Sequence, residues 1–334
     1  MGATKKQDTR RAQNKHRSRA HRLLGLIVLV GLLTVVAIVG KYGYNLRPLS
    51  TASAASGGEA LDPAEFASGS CIGYPPTAGD RGETVFLDAG HGGIDPGGVG
   101  VTQSGKTIYE ADETLPVELE VMALLRAKGF RVVVSRTGAS TVLRLGPGDT
   151  DGQLLTLQGA HDDVAARDVC ANDAQARVMV GIYYDAGGSS QNAGSLTAYD
   201  ADRPFASANL TLANLVQSDV LAGMNAQGWA IPNDGVQPDT ALGSLDGDPD
   251  QGGIAAEAAA YDHLLLIGPA MPGFFSTPSQ MPGVVIEPLY ITDPFEGSIA
   301  DSATGQRVIA QGIANAVEQY LAPPPSKPAT PSTS

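Results

Sequence analysis

Positive charge is scarce through most of this 334-residue sequence. Eight of the 22 Lys and Arg residues fall between Lys5 and Arg22 beside a single acidic residue, Asp8, which leaves 14 basic against 34 acidic residues beyond that point. A body this acidic repels phosphate backbones, so nucleic acid is excluded as a partner despite the basic start. Charged residues make up only 17% of the chain against 43% hydrophobic ones, with 41 Gly and 22 Pro. That balance excludes a coiled coil and wholesale disorder and fits a turn-rich globular protein. No internal repeat is present, which excludes a repeat-built binding array.

What is there begins with an apolar run. Residues 23–40 read LLGLIVLVGLLTVVAIVG, eighteen uncharged residues that make about 27 Å of helix, close to the hydrocarbon thickness of a bilayer. The basic cluster of residues 1–22 precedes it, and only Lys41 and Arg47 follow closely. The charge bias predicts a single-pass anchor in the cell membrane, N-terminus cytoplasmic and the remainder outside. A cleaved signal peptide is the competing reading, because small residues at 51–55 resemble a cleavage site. The run is longer than the usual signal core and that site lies well beyond it, which favours an uncleaved anchor. Cys71 and Cys170, the two cysteines, then both face an oxidising compartment and are expected to pair. Such a bridge closes a loop on the order of 100 residues and contributes about 4 to 5 kcal/mol on the chain-entropy model.

Residues 41–80 are rich in Ala, Ser, Gly and Pro and predict a flexible linker, and 323–334, with the run PPPSKPATPSTS close to the C-terminus, predict a disordered tail. Between them, apolar runs at 84–88, 130–135, 178–184, 195–199, 264–267 and 284–287 predict six strands. Helical spacing falls at 113–128, 162–176, 205–227 and 305–321, and 233–253 reads as a long loop. The expected fold is α/β, a single layered domain over 81–322 with a mainly parallel central sheet of about six strands flanked by helices, preceded by one transmembrane helix.

Two motifs crowd the first loop. Residues 100–107, GVTQSGKT, have the spacing of a phosphate-binding P-loop. Pro96 and glycines, rather than a strand, lead into it, so its amides are not set to converge on phosphate, and no nucleotide partner is expected. The preceding stretch carries other chemistry. A strand ends at Asp88, and Gly90, Gly92 and Gly93 surround His91, holding a lone imidazole at the C-terminal edge of a sheet. With Glu110 as a hard oxygen donor at the head of the next helix, this is the ligand chemistry of a hydrolytic zinc ion. On residue types alone, a loop histidine and an exposed glutamate are the better account.

Taken together, Asp88-Ala-Gly-His91-Gly-Gly, Asp95-Pro-Gly, Glu110, the strand running into Arg136-Thr137, Arg167, Ala171-Asn172 and Met281-Pro-Gly-Val-Val-Ile-Glu287 resemble the zinc-dependent N-acetylmuramoyl-L-alanine amidases of bacterial cell-wall metabolism. The likeness spans about residues 84–321. It implies peptidoglycan as partner, Zn²⁺ as cofactor, His91 and Glu110 as metal ligands, and Glu287 as the catalytic glutamate. It implies a third ligand as well, a histidine closing the strand at 178–182, where this chain has Tyr183. A phenol titrates near 10, so it binds an ordinary zinc ion less readily than neutral imidazole does. Tyr183 as a phenolate, Asp185 two residues on, or an imidazole from His161 or His263 would each complete the set. Asp95, Arg136 and Arg167 are expected to hold loop and helix structure.

Two functions follow from the resemblance. One is a membrane-anchored zinc amidase that cuts between N-acetylmuramic acid and L-alanine, with Glu287 moving the proton. The other is a catalytically degenerate relative that binds peptidoglycan or an envelope partner as a regulator or scaffold, which Tyr183 favours.

Overall fold

The computed structural model describes residues 57–62, 64–242 and 251–322. The chain divides into two units, 1–53 and 54–334, and every described residue belongs to the second. The basic segment 1–22, the expected anchor at 23–40 and the tail at 323–334 lie outside the described residues. Among the described residues no helix is long and apolar enough to cross a membrane.

In chain order the first half contributes β1 (Glu59–Ala60), β2 (Ser70–Tyr74), β3 (Thr84–Ala89), β4 (Val99–Val101), β5 (Thr107–Tyr109), α1 (Glu110–Ala127), β6 (Arg131–Arg136), β7 (Thr150–Asp151), β8 (Leu154–Leu155) and α2 (Leu157–Asp173). The second half contributes β9 (Val178–Ile182), β10 (Ser195–Tyr199), α3 (Ala206–Asn225), β11 (Asn233–Pro238), α4 (Gly253–Ala260), β12 (Gly283–Glu287), α5 (Pro294–Ala300) and α6 (Ala303–Tyr320). Eight strands form one sheet in the order β1-β2-β6-β3-β9-β12-β10-β11. Its centre, β6-β3-β9-β12, is parallel throughout. These strands read as near-continuous Val, Ile, Leu and Phe because helices and loops cover both faces.

Strand periodicity sorts the core into two layers. Val85, Leu87, Val132, Val134, Val178, Val180, Val284 and Ile286 join the cluster that holds Leu125 of α1, Leu212 and Val216 of α3, and Ile309 and Ile313 of α6. Phe86, Val133, Met179 and Val285 face the other way, toward Ala166 and Cys170 of α2 and the turn at Leu266 and Ile267. Thr156 caps α2 by accepting from the Gly159 amide, and Ser302 caps α6 by accepting from that of Gly305.

The expected α/β layering is present, with three departures. Residues 59–74, expected as linker, supply β1 and β2, and β2 extends the sheet antiparallel to β6. The Ala, Ser and Gly content of the segment hid a strand whose burial is fixed by distant partners: Cys71 is bridged to Cys170, as expected, and Phe66 is buried beside them. Residues 264–267 form no strand; Leu265, Leu266 and Ile267 are buried, but the amides of Ile267 and Gly268 both fold back onto the Leu264 carbonyl. A four-residue apolar run cannot by itself distinguish a buried turn from a strand. Within the expected loop at 233–253, Asn233–Pro238 pairs in parallel with β10. It is a half-exposed edge strand and has no need of a run of branched apolar residues.

Residues 100–107 also resolve. Val99–Val101 and Thr107–Tyr109 form an antiparallel hairpin whose turn holds Thr102 and Lys106, and Lys106 pairs with Asp301. The 100–107 loop joins one strand to another instead of leading into a helix N-terminus, so the phosphate-cradling geometry is absent.

Candidate active site

Register carries three chain segments to one edge of the sheet. Ala89 of β3 and Ile286 of β12 both align with Ile182 of β9. The next residues, Gly90, Tyr183 and Glu287, therefore leave their strands at one level, at the C-terminal edge where parallel sheets open onto ligands. His91 follows Gly90 with φ 60°, a left-handed conformation unusual for a residue with a side chain. Two buried arginines hold it there. Arg136 donates to the carbonyls of Ala89, Gly90 and Ala111 and to Thr114 Oγ1. Arg167 donates to the carbonyls of Ala89 and His91 and pairs with Asp88 and Asp163. Both arginines thus serve loop structure, in keeping with the sequence expectation.

The imidazole of His91 lies between two carboxylates. Its Nδ1 is 2.8 Å from Asp95 Oδ2 and its Nε2 is 3.2 Å from Glu110 Oε2. Glu110 is fixed from behind, accepting from the amides of Tyr184 at Oε1 and Gly98 at Oε2. Gly97 makes this approach possible: it takes φ +65°, and a Cβ there would stand 2.5 Å from the His91 ring and 2.8 Å from Glu110 Oε2. Burial alone would push the His91 imidazole down. Glu110 and Asp95 outweigh it and raise the group to about 10, which expresses how strongly the pair demands a positive charge.

Glu287 closes the strand level beside this pair. Burial first, then the charges of Asp185 and Glu110 and a hydrogen bond with Asp185, push its carboxyl up to about 8. Asp185 is raised too, by burial, against the Tyr290 hydroxyl that donates to it. The sequence-derived residues His91, Glu110, Asp185 and Glu287 are therefore brought into one electrostatic unit.

Tyr183 directly follows the last residue of β9, with its ring 5.5 Å from that of His91, edge to face. Its hydroxyl, however, donates to Asp88 Oδ2 at 3.0 Å, and Asp88 in turn holds Arg167. Burial and the Asp88 charge push the phenol well above its ordinary value. The group is thus held as a neutral donor. His161 stacks near Phe274 and pairs with Asp162, and His263 lies between Asp200 and Asp239; neither is brought to His91.

Asp95, which the sequence suggests only as a loop residue, does more than shape the turn. While accepting from the Gly97 amide it also fixes His91 Nδ1, the carboxylate–histidine arrangement that orients metal-binding imidazoles. Its spacing four residues after His91 was the available signal.

The donors fit a divalent cation. Zinc with bonds of about 2.0 Å separates neighbouring tetrahedral ligands by about 3.3 Å, and His91 Nε2 and Glu110 Oε2 stand 3.2 Å apart. Residues 85–319 match the N-acetylmuramoyl-L-alanine amidase family. The chain belongs to that family. Like the other amidases of the family it is a hydrolase, and its class of substrate is cell-wall peptidoglycan. Protein YqiI of Bacillus subtilis is 26% identical over 240 residues, which cover 72% of this chain and 85% of that one. Among solved structures, the CwlD amidase from Clostridioides difficile in complex with the GerS lipoprotein superposes with a TM-score of 0.51 at 21% identity, over 72% of this chain and 98% of that one. Cwp6 from Clostridium difficile gives 0.51 at 19% identity over 73% of this chain and 30% of its own. The two superpositions establish a shared amidase fold.

Proposed function

We propose that this protein is a zinc-dependent amidase, anchored in the cell membrane by residues 23–40, that hydrolyses the amide between the lactyl group of N-acetylmuramic acid and L-alanine in peptidoglycan. The observation that carries this reading is the 3.2 Å approach of His91 Nε2 to Glu110 Oε2, backed by Asp95 and set beside Glu287. His91 and Glu110 would hold zinc; Asp88 engages the Tyr183 hydroxyl, and Asp185 would have to shift to join as a third donor, because its carboxylate does not converge with theirs. Bound there, zinc supplies Lewis-acid polarisation of the scissile carbonyl.

The remaining work falls to the chain's own residues. Glu287 accepts a proton from the attacking water and returns it to the leaving nitrogen as the C–N bond breaks, yielding a lactyl carboxylate and a free L-alanine amine. Burial raises this carboxyl above its ordinary range, the direction that both halves of that transfer near neutral pH require. Its hydrogen bond with Asp185 lets two close carboxyl groups share one proton instead of both ionising. Arg136 and Arg167 keep His91 in its left-handed turn by holding the carbonyls on either side of it.

Release of stem peptides from purified peptidoglycan tests the reading. Wild type is expected to release them, and Glu287→Gln to release almost none while keeping its zinc. Equal release by both proteins would remove Glu287 from the mechanism. Wall binding with no release by wild type would favour the scaffold function instead. For the anchor, the full chain is expected to stay with membranes through alkaline extraction, and recovery in the soluble fraction would contradict it.

A further inference from the structure

We propose that Asp200, Asp239 and His263 form a second divalent-cation site, of zinc chemistry, on the far side of the sheet from the amidase centre; this goes beyond the proposed function and does not depend on it. Its position follows from register. β10 runs antiparallel to β12, with Leu196 beside Glu287 and Ala198 beside Val285. Asp200 therefore falls level with Gly283, roughly 13 Å along the strands from Glu287 at about 3.3 Å per residue. β11 lies parallel to β10 with Tyr199 beside Pro238, so Asp200 and Asp239 are the next pair, leaving their strands side by side. His263 comes in from the loop that follows α4.

The three donor atoms already converge. His263 Nδ1 is 3.0 Å from Asp200 Oδ2 and 3.2 Å from Asp239 Oδ2, close to the separation of neighbouring ligands on a tetrahedral zinc ion. Both carboxylates are fully buried. Each is oriented by backbone amides: Asp200 Oδ1 accepts from Asp202 and Arg203, and Asp239 Oδ2 accepts from Leu264. Asp200 Oδ2, aimed at the centre, accepts no hydrogen bond although it is shut off from solvent. The imidazole Nδ1 carries one proton at most and stands against both carboxylates, so it cannot satisfy both. A cation at the centre satisfies all three atoms at once and neutralises two buried carboxylates.

The other ring nitrogen supports this assignment. His263 Nε2 faces the exposed carboxylates of Asp262 at 3.6 Å and Asp202 at 3.8 Å, which bias its proton to that edge and free Nδ1 to bind metal. These surface carboxylates also give a cation a route in. Two carboxylates and one imidazole suit zinc better than magnesium or calcium, whose sites are built from oxygen. The ion would tie the 262–268 loop, with its buried Leu265, Leu266 and Ile267, to the ends of β10 and β11, so its role is to hold the fold.

The full chain, stripped with chelator and reloaded with Zn²⁺ alone, tests the proposal by metal content and by Tm. Wild type is expected to retain one more equivalent than either His263→Ala or Asp200→Asn. A His91→Ala chain, lacking the imidazole of the amidase centre, is expected still to bind zinc and to gain Tm from it, and His91→Ala/His263→Ala is not. Equal zinc in wild type and both single variants overturns the proposal. If those variants do not fold, the His91→Ala chain decides: bound zinc with tetrahedral Co²⁺ absorption on substitution supports the site, and no bound metal overturns it. Failure at the amidase centre shows instead as zinc content that His91→Ala leaves unchanged.

Discussion

At one edge of the sheet His91 meets Glu110 in a loop lined with glycines and about a quarter exposed, with Glu287 and Asp185 beside it. At the opposite edge His263 lies between two fully buried carboxylates and closes a loop onto the ends of two strands. The same residue types serve different ends because of what surrounds them. At the first edge the imidazole is partly exposed and the carboxyl of Glu287 beside it is raised, as proton transfer requires. At the second, buried donors at two strand ends hold a loop in place, so binding there stabilises the fold.

The comparison breaks most visibly at Glu287. Glu287→Gln is expected to reduce peptide release by about 10²- to 10⁴-fold, read from soluble stem peptides, while zinc content stays unchanged. Asp200→Asn should leave zinc at the amidase centre in place. If the two substitutions lowered release equally with both chains folded, the division between a chemical and a structural edge would be lost.

The next effect is on the fold. Reducing the Cys71–Cys170 bridge, or replacing both cysteines with serine, is expected to cost about 2 to 5 kcal/mol, measured by denaturant unfolding. The bridge ties β2 to α2, and its cysteines pack in the same core cluster as Leu266 and Ile267 of the far-edge loop. Loss of zinc there is therefore expected to be non-additive with this cost, and strict additivity would show the two regions to be independent.

A smaller effect belongs to Asp95. Asp95→Asn should weaken zinc binding at the amidase centre by about 10- to 100-fold by loosening His91, measured by competition with a chelating dye. The last is a pH effect on stability. Glu287 has a folded value of about 8 against an ordinary 4.5, so between those values the folded state binds more protons than the unfolded one. Its contribution to stability therefore falls as pH rises through that window. In metal-free protein, Glu287→Gln should raise stability at pH 8 by about 1 kcal/mol and by less at pH 5, which Tm measured at both pH values would show.

Much of this was legible in the chain itself. The parallel strands announced themselves because burial on both faces demands unbroken runs of branched residues, as in residues 132–134 and 284–286. His91, Glu110 and Glu287 were singled out through the resemblance of their surrounding motifs to the amidases, since residue types alone favour a loop histidine and exposed glutamates. What was hidden depends on distant partners. β2 is a strand because β6 lies beside it, and β11 because β10 does; their own residues carry little strand signal. Nor does the environment of Tyr183 follow from its neighbours in sequence, since its hydroxyl is set by Asp88, 95 residues away. The far-edge cluster joins Asp200, Asp239 and His263 from three segments, and only the strand register brings them together.

The central claim is that His91 and Glu110 form a metal centre on which amide hydrolysis depends. Its most direct test is stem-peptide release by chelator-treated wild type and Glu110→Ala, each before and after Zn²⁺ is restored. The account predicts that zinc restores release in wild type and not in Glu110→Ala. Undiminished release by the chelated wild type, or full activity in Glu110→Ala, would contradict it.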